Sequence, residues 1–345
     1  MSLTEQVAIA ATEKVQTPPT MSEKDELEIE LSTSDSAKQK QEQKNPYYRL
    51  SNVGRAESIF NQAQNQLDDN GINNLLYDLA DSLLMPGKKI SGDADSFHNF
   101  SVTILKKADD YDTALEIVEL GLKLHPSNTD LLADGISYGS NCGQAEKCER
   151  FFDCLRKIDY PLWTWRAFSF SIDYILDQSI FSGNTDNMAP VFELTKLYQQ
   201  YYPQKEDSWF IEYQIYEKIN QIDAGIAVLK KAITELSYCP KCWLRYADIM
   251  VDRGLNKEAV FCIKKLRSRP QSSKAVTMSY VYYLDGLCRA NAILDSDTIR
   301  EAEVEQAYKT LKLSLGHSSL RPDIERRVRD LITTLENETD IVFPY

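Results

Sequence analysis

Apolar positions recur along most of this chain with the 3.6-residue period of an amphipathic helix, and the periodic stretches come in pairs separated by short polar turns. Phe97 to Ala108 reads as a helix and Asp109-Asp110-Tyr111 as a turn. Ala114, Val118, Gly121 and Leu124 then mark the apolar face of a second helix ending at His125-Pro126. Similar pairs are predicted over Thr129–Pro161, Leu162–Pro203 (with a longer connection around Phe181–Asn187), Glu206–Pro240, Trp243–Pro270 and Met278–Leu311. Upstream, Val53, Ile59, Phe60 and Ala63 lie on one helical face and Leu75, Leu76, Leu79, Leu83 and Leu84 on another, with Asp68-Asp69-Asn70-Gly71 between them. A final helix from Pro322 to about Leu335 carries many charges, which suits the exposed end of a stack.

The pair WLRYADIMVDRGLNKEAVFCIKKLRSRP, Trp243 to Pro270, is the most regular. Trp243, Tyr246, Ala247 and Met250 give a large–small–large first helix. Gly254 lies in the turn. Ala259, Ile263 and Leu266 follow on the second helix. These positions resemble a tetratricopeptide repeat, the helix–turn–helix unit of about 34 residues, and YDTALEIVELGLKLHP is similar to its second half, with Ala114 in the place of Ala259. The resemblance covers roughly Phe97 to Leu315. It departs from the family at the eighth position, where Val102, Ile136, Ser169, Tyr213 and Ala247 replace glycine. It implies an all-α, right-handed α-solenoid. Adjacent helices at ~8–10 Å need a small side chain where they touch, the role expected of Ala114 and Ala259.

The expected organisation is a disordered polar tail over 1–45, an N-terminal helical cap over 46–90, the repeat array over 91–316, and a capping helix with a short tail over 317–345. The tail has no aromatic residue and too little apolar surface to offset its ordering entropy. Within it, Glu26-Leu27-Glu28-Ile29-Glu30-Leu31 alternates acid and aliphatic side chains. It reads either as a strand for a partner's sheet edge or, in keeping with its surroundings, as a solvated charged segment. Asn45-Pro46-Tyr47-Tyr48 fits the Asn-Pro-x-Tyr ligand pattern, but is better read as the start of the folded region.

Charge narrows the partner class. The 345 residues carry a formal net charge of −13, with a pI near 4.9. That balance argues against general binding to nucleic acid or acidic membranes. No run approaches the ~20 apolar residues of a membrane span, and no basic, apolar leader opens the sequence. Seven cysteines at scattered spacing suit small buried apolar residues in a reducing, cytoplasmic setting.

Catalytic and cofactor signatures are not found. His98, His125 and His317 lie in separate units, and no glycine-rich phosphate loop or nucleophile elbow is present. Cys239-Pro240-Lys241-Cys242 matches one knuckle of a zinc ribbon, but a closed site needs four ligands and there is no second Cys-x-x-Cys. We expect no metal, no cofactor and no enzymatic activity, with Pro240 breaking the helix and Cys242 packing beside Trp243.

The resemblance places first helices on a concave face, where their unpacked positions line a groove. The candidate partner-binding residues are Trp163, Arg166, Phe170, Phe210, Gln214, Lys241, Arg245 and Tyr282, with Asp173, Asp207, Glu217, Leu244, Asp248, Met278 and Asp285 along the same faces. Aromatic residues beside arginine carry much of the energy at interfaces. Lys241 and Arg245 match the third-unit cations of the family's clamp for carboxylate termini. Phe210 and Gln214 stand where that clamp needs Lys and Asn, and Asp134 or Asp207 opposes it, so the clamp is not carried over. The expected function is a non-catalytic scaffold or adaptor for a protein or peptide, within a larger complex. The expected ligand is an extended segment with an acidic residue next to an apolar one. The alternatives are a regulatory subunit of an enzyme complex and an RNA-binding repeat protein. Limited proteolysis should remove the first 45 residues and leave a stable core, and early cutting within Trp243–Pro270 would contradict this order of stability.

Overall fold

A computed structural model describes residues 45–181, 188–268, 277–316 and 320–341. The tail through residue 44, the connection at 182–187, Pro270, His317 and residues 342–345 lie outside the described residues. Among the described residues there are 15 α-helices, two short 3-10 turns and no strand, with one isolated parallel bridge between Asn52 and Ser91. The expectation of an all-α chain of helical pairs therefore holds. Two compact units divide between Pro126 and Ser127, inside the stretch expected as one array.

The first unit holds α1 (Val53–Ala63), α2 (Asp69–Leu84), α3 (Ala94–Ala108) and α4 (Tyr111–Leu124). Each begins where a short polar side chain takes an orphan backbone N–H: Asn52, Asp68, Asp93 and Asp110 accept from Arg55, Gly71, Ser96 and Thr113 respectively. The Asn-Pro-x-Tyr stretch belongs to this packing. Asn45 is buried, and its Nδ2 donates to the Asp78 carbonyl at 2.6 Å while its Oδ1 accepts from Tyr47 N at 2.8 Å.

The second unit stacks five pairs and a closing helix: α5 (Thr129–Asn141) with α6 (Ala145–Leu155), α7 (Trp165–Phe181) with α8 (Ala189–Tyr201), α9 (Glu206–Lys218) with α10 (Ile222–Glu235), α11 (Pro240–Asp252) with α12 (Asn256–Ser268), α13 (Met278–Leu294) with α14 (Glu301–Leu315), then α15 (Pro322–Thr339). First helices pack on first helices along the run α5, α7, α9, α11, α13. Three turns share one geometry. A residue with positive φ (Gly143, Asn220 or Gly254) ends the first helix, and the next N–H bonds five residues back: Gln144 to Gly139, Gln221 to Tyr216, and Leu255 to Met250, each at 2.8 Å. Pro240 does not break α11, as the sequence suggested. It starts it, at a first-turn position where its missing N–H costs nothing.

The two helices of a pair approach where one of them lacks bulk. Ala259 is fully buried, as its place in the repeat predicts. A Cβ on Gly135 would lie 2.8 Å from the Phe151 ring, one on Gly139 2.8 Å from Cys148 Sγ, and one on Gly286 2.5 Å from Leu311 Cδ2. Leu311 is itself fully buried and has little room to yield. Gly286→Ala should therefore destabilise the protein by about 1–3 kcal/mol through overpacking. In a Leu311→Ala background the same change should stabilise by about 0.5–1 kcal/mol, the ordinary gain of alanine over glycine in a helix. Urea unfolding of the four proteins checks this, and equal effects in both backgrounds would remove Leu311 as the cause.

Candidate functional site

The first helices of the second unit are tied across their concave side by hydrogen bonds spanning about one repeat. Thr164 Oγ1 donates to Asp130 at 2.7 Å, and Arg166 pairs with Asp134 and lies 3.8 Å from Asp130. Lys218 reaches Asp177 at 3.0 Å, Lys241 reaches Asp207 at 2.5 Å, and Tyr280 donates to Asp248. Each donor sits on the later of two neighbouring helices (Thr164 just before one) and each carboxylate on the earlier. Arg245 is the most heavily engaged of these cations. Its Nε donates to Tyr213 Oη at 2.6 Å, one terminal nitrogen to Asp248 at 2.9 Å and the other to Glu217.

Beside this ladder lies a groove of about 470 Å³ lined by Ser169, Asp173, Asp207, Phe210, Ile211, Gln214, Lys241, Leu244, Arg245, Asp248 and Tyr280. A cavity of about 280 Å³ adjoins it at Asp173 and reaches Phe170, Asp177 and Lys218. A third, of about 520 Å³, shares Leu244, Arg245, Asp248 and Tyr280 and runs to Leu320, Arg321 and Ile324. One continuous face thus extends from α5 to α15.

The structure places the candidate residues as follows. Phe210, Gln214, Lys241 and Arg245 line the main groove together, and Phe170 lines the adjoining cavity. Arg166 borders neither; its guanidinium lies 5.5 Å from the Phe170 ring centre and is directed at Asp134. Two assignments need correction. Trp163 is 1% exposed. It precedes α7, its Nε1–H donates to the Ile158 carbonyl at 2.9 Å, and it packs against Tyr160 and Phe168, so it belongs to the core. Tyr282 is turned away from the groove and lies under the Arg267 guanidinium, 5.3 Å from its ring centre; Tyr280 takes the groove position. Likewise Asp285 is buried and paired with Arg267 and Arg289, and Asp134 is fully buried against Arg166.

The charge of the groove also differs from expectation. Arg245 does not offer a basic spot, because all its nitrogens face acceptors of this chain. Lys241 and Lys218 are likewise matched to Asp207 and Asp177. Asp173 remains, between the two cavities, without a hydrogen bond or ion pair among the described residues. The residue is exposed as a whole, but protein surrounds its carboxyl on most sides. That shielding raises its pKa to about 6, against the pull of Lys218 and with the push of Asp177.

Behind the groove wall, Cys239 and Cys242 are both fully buried, and burial pushes the Cys239 thiol up to about 12. Both are free thiols of the core. Glu206 accepts from Cys242 N at 2.8 Å, yet loss of water raises it to about 7 despite that bond and Lys241. No helix among the described residues is long and apolar enough to cross a membrane.

No protein-family profile and no curated protein matches the chain. Similar folds occur among solved structures. A tetratricopeptide repeat protein from Parabacteroides merdae is 12% identical, covering 83% of this chain and 99% of its own, with a TM-score of 0.46. PilF of Pseudomonas aeruginosa is 11% identical, covering 71% and 97%, also at 0.46. A monomeric mutant of IFIT1 bound to m7Gppp-AAAA is 12% identical, covering 79% and 64%, at 0.41. The paired helices, their shared turns and the contacts one repeat apart make the second unit a helical-repeat array.

The raised Glu206 sets a pH dependence. A carboxyl whose folded pKa exceeds its unfolded value of 4.5 makes the native state bind more protons between the two, so its contribution to stability falls as pH rises from about 4.5 to about 7 and is then constant. Glu206→Gln keeps an acceptor for Cys242 N without the charge. Its stability relative to the parent should rise across that window by on the order of 1 kcal/mol, allowing for partial hydration, and level off above it. Urea unfolding at pH 5, 6, 7 and 8 measures the difference, and a flat difference would place Glu206 in water.

Proposed function

We propose that this protein is a non-catalytic scaffold or adaptor that holds a segment of a protein partner along the concave face of its second unit. The supporting observation is the groove formed by α7, α9, α11 and α13. Half-buried Phe210, Leu244 and Tyr280 stand there beside the amide of Gln214, which has no partner among the described residues. Such side chains lose water on contact with a ligand at little cost in rigidity, because the ladder beneath already fixes the helices. The groove has no unmatched cation for a phosphate, so a protein partner fits better than RNA. The same surface suits a subunit of a larger assembly.

A photo-crosslinking residue at Gln214 tests this against one at Phe261, an exposed position on α12. In cells, the Gln214 probe should yield a discrete, nuclease-insensitive protein adduct that is lost with Phe210→Ala. Adducts formed only from Phe261 would move binding to the outer helices, and nuclease-sensitive adducts at Gln214 would favour the RNA alternative.

A further inference from the structure

Resting on the groove as the binding surface, we infer that its occupant is an extended peptide segment bearing a lysine or arginine next to an apolar side chain, the cation meeting Asp173 and the apolar group lying on Phe210. This reverses the sign of ligand expected from sequence.

Charge matching carries the argument. The main groove and its neighbour present the cations Lys218, Lys241 and Arg245 and the acids Asp173, Asp177, Asp207 and Asp248. Lys218 is matched by Asp177, Lys241 by Asp207, and Arg245 by Asp248 together with Glu217 just outside. Recruiting any of these cations to a ligand carboxylate would exchange one partly exposed pair for another, with little net gain. Asp173 has no hydrogen bond or ion pair among the described residues, and Lys218, which attracts it, is held by Asp177 at 3.0 Å. It lies where the two cavities meet, accessible to a side chain from either. A ligand ammonium or guanidinium there would gain a charge-assisted bond and relieve the repulsion from Asp177.

The neighbours of Asp173 fit the rest of the segment. Phe210, Ile211 and Leu244 supply an apolar wall in the same groove. Gln214 has a donor and an acceptor available for a peptide backbone, as strand-like ligands require. The sign also sets aside Glu26–Leu31 as an occupant, since it alternates aliphatic side chains with glutamates and would set acid against acid.

The test selects random 12-residue peptides displayed on phage against the full-length chain, then measures the enriched peptides as fluorescein conjugates against the parent, Asp173→Asn, Asp173→Lys and Phe210→Ala. Thermal unfolding of each variant confirms that it is folded; Asp173 is an exposed residue without a hydrogen bond among the described residues. The expected peptides carry Lys or Arg beside Leu, Ile, Phe or Trp. They should lose at least about tenfold in affinity with Asp173→Asn and Phe210→Ala, and Asp173→Lys should instead bind the same peptides with Glu in place of the cation. Peptides that are acidic or uncharged, sensitive to Phe210→Ala but not to Asp173→Asn, would overturn the inference and leave the groove reading standing. Peptides indifferent to both changes, or no enrichment at all, would overturn the groove reading itself.

Discussion

The stack depends on how closely the two helices of a pair can approach. Where Gly135, Gly139 or Gly286 faces its partner helix, the space a Cβ would occupy is filled by Phe151, Cys148 or Leu311. A bulky side chain on one helix thus seats on bare backbone of the other, and the pair locks at one register because no other register offers that gap. Gly225 does the same for Tyr213, with a virtual Cβ 3.1 Å from the ring. Here the large side chain is on the first helix and the bare backbone on the second, so this unit exchanges the small and large partners and keeps the contact. Fixing each pair fixes which face of its first helix is left over, and those leftover faces line up.

That alignment creates the second level of order. Carboxylates on one first helix meet hydroxyls, ammoniums and guanidiniums presented by the next unit, as in Asp130 with Thr164, Asp134 with Arg166, Asp207 with Lys241 and Asp248 with Tyr280. Exposed pairs of this kind contribute little each, about 0–1 kcal/mol. Asp134 and Asp285 are exceptions: both are buried, and removing their arginines would leave a charge without compensation. The ladder also sets the charge left in the groove: Lys218, Lys241 and Arg245 are matched internally, and Asp173 has no ion pair among the described residues.

The fold was legible in the sequence because its determinants are local: apolar period, helix-capping Asn and Asp, and residues such as Gly254 that accept a left-handed turn. The site was legible only where helix starts were. Glu206 begins α9, and counting from it places Phe210 and Gln214 in the groove, as the structure does. Counting from Leu162 put Trp163 on a helix that starts at Trp165. For α13, a 17-residue helix against the 13 of α11, the same count landed on Tyr282 in place of Tyr280. A two-residue slip turns a helical side chain by about 200°, enough to exchange a groove residue for one under Arg267.

What could not be read at all was whether a cation is available. Arg245 beside Lys241 looks like a basic patch in any window of sequence. Its partners Tyr213 and Glu217 lie 32 and 28 residues earlier, on another helix, and only stacking brings them within reach. In a repeat array the charge a ligand meets is what remains after neighbouring units have matched one another. The informative comparison therefore runs between positions one repeat apart: Lys241 stands 34 residues after Asp207, Tyr280 32 after Asp248, and no cation is paired with Asp173. In this groove the acid without an ion pair among the described residues, Asp173, lies beside Phe210, whose ring is half-buried and packs on Tyr213 at 5.9 Å between ring centres.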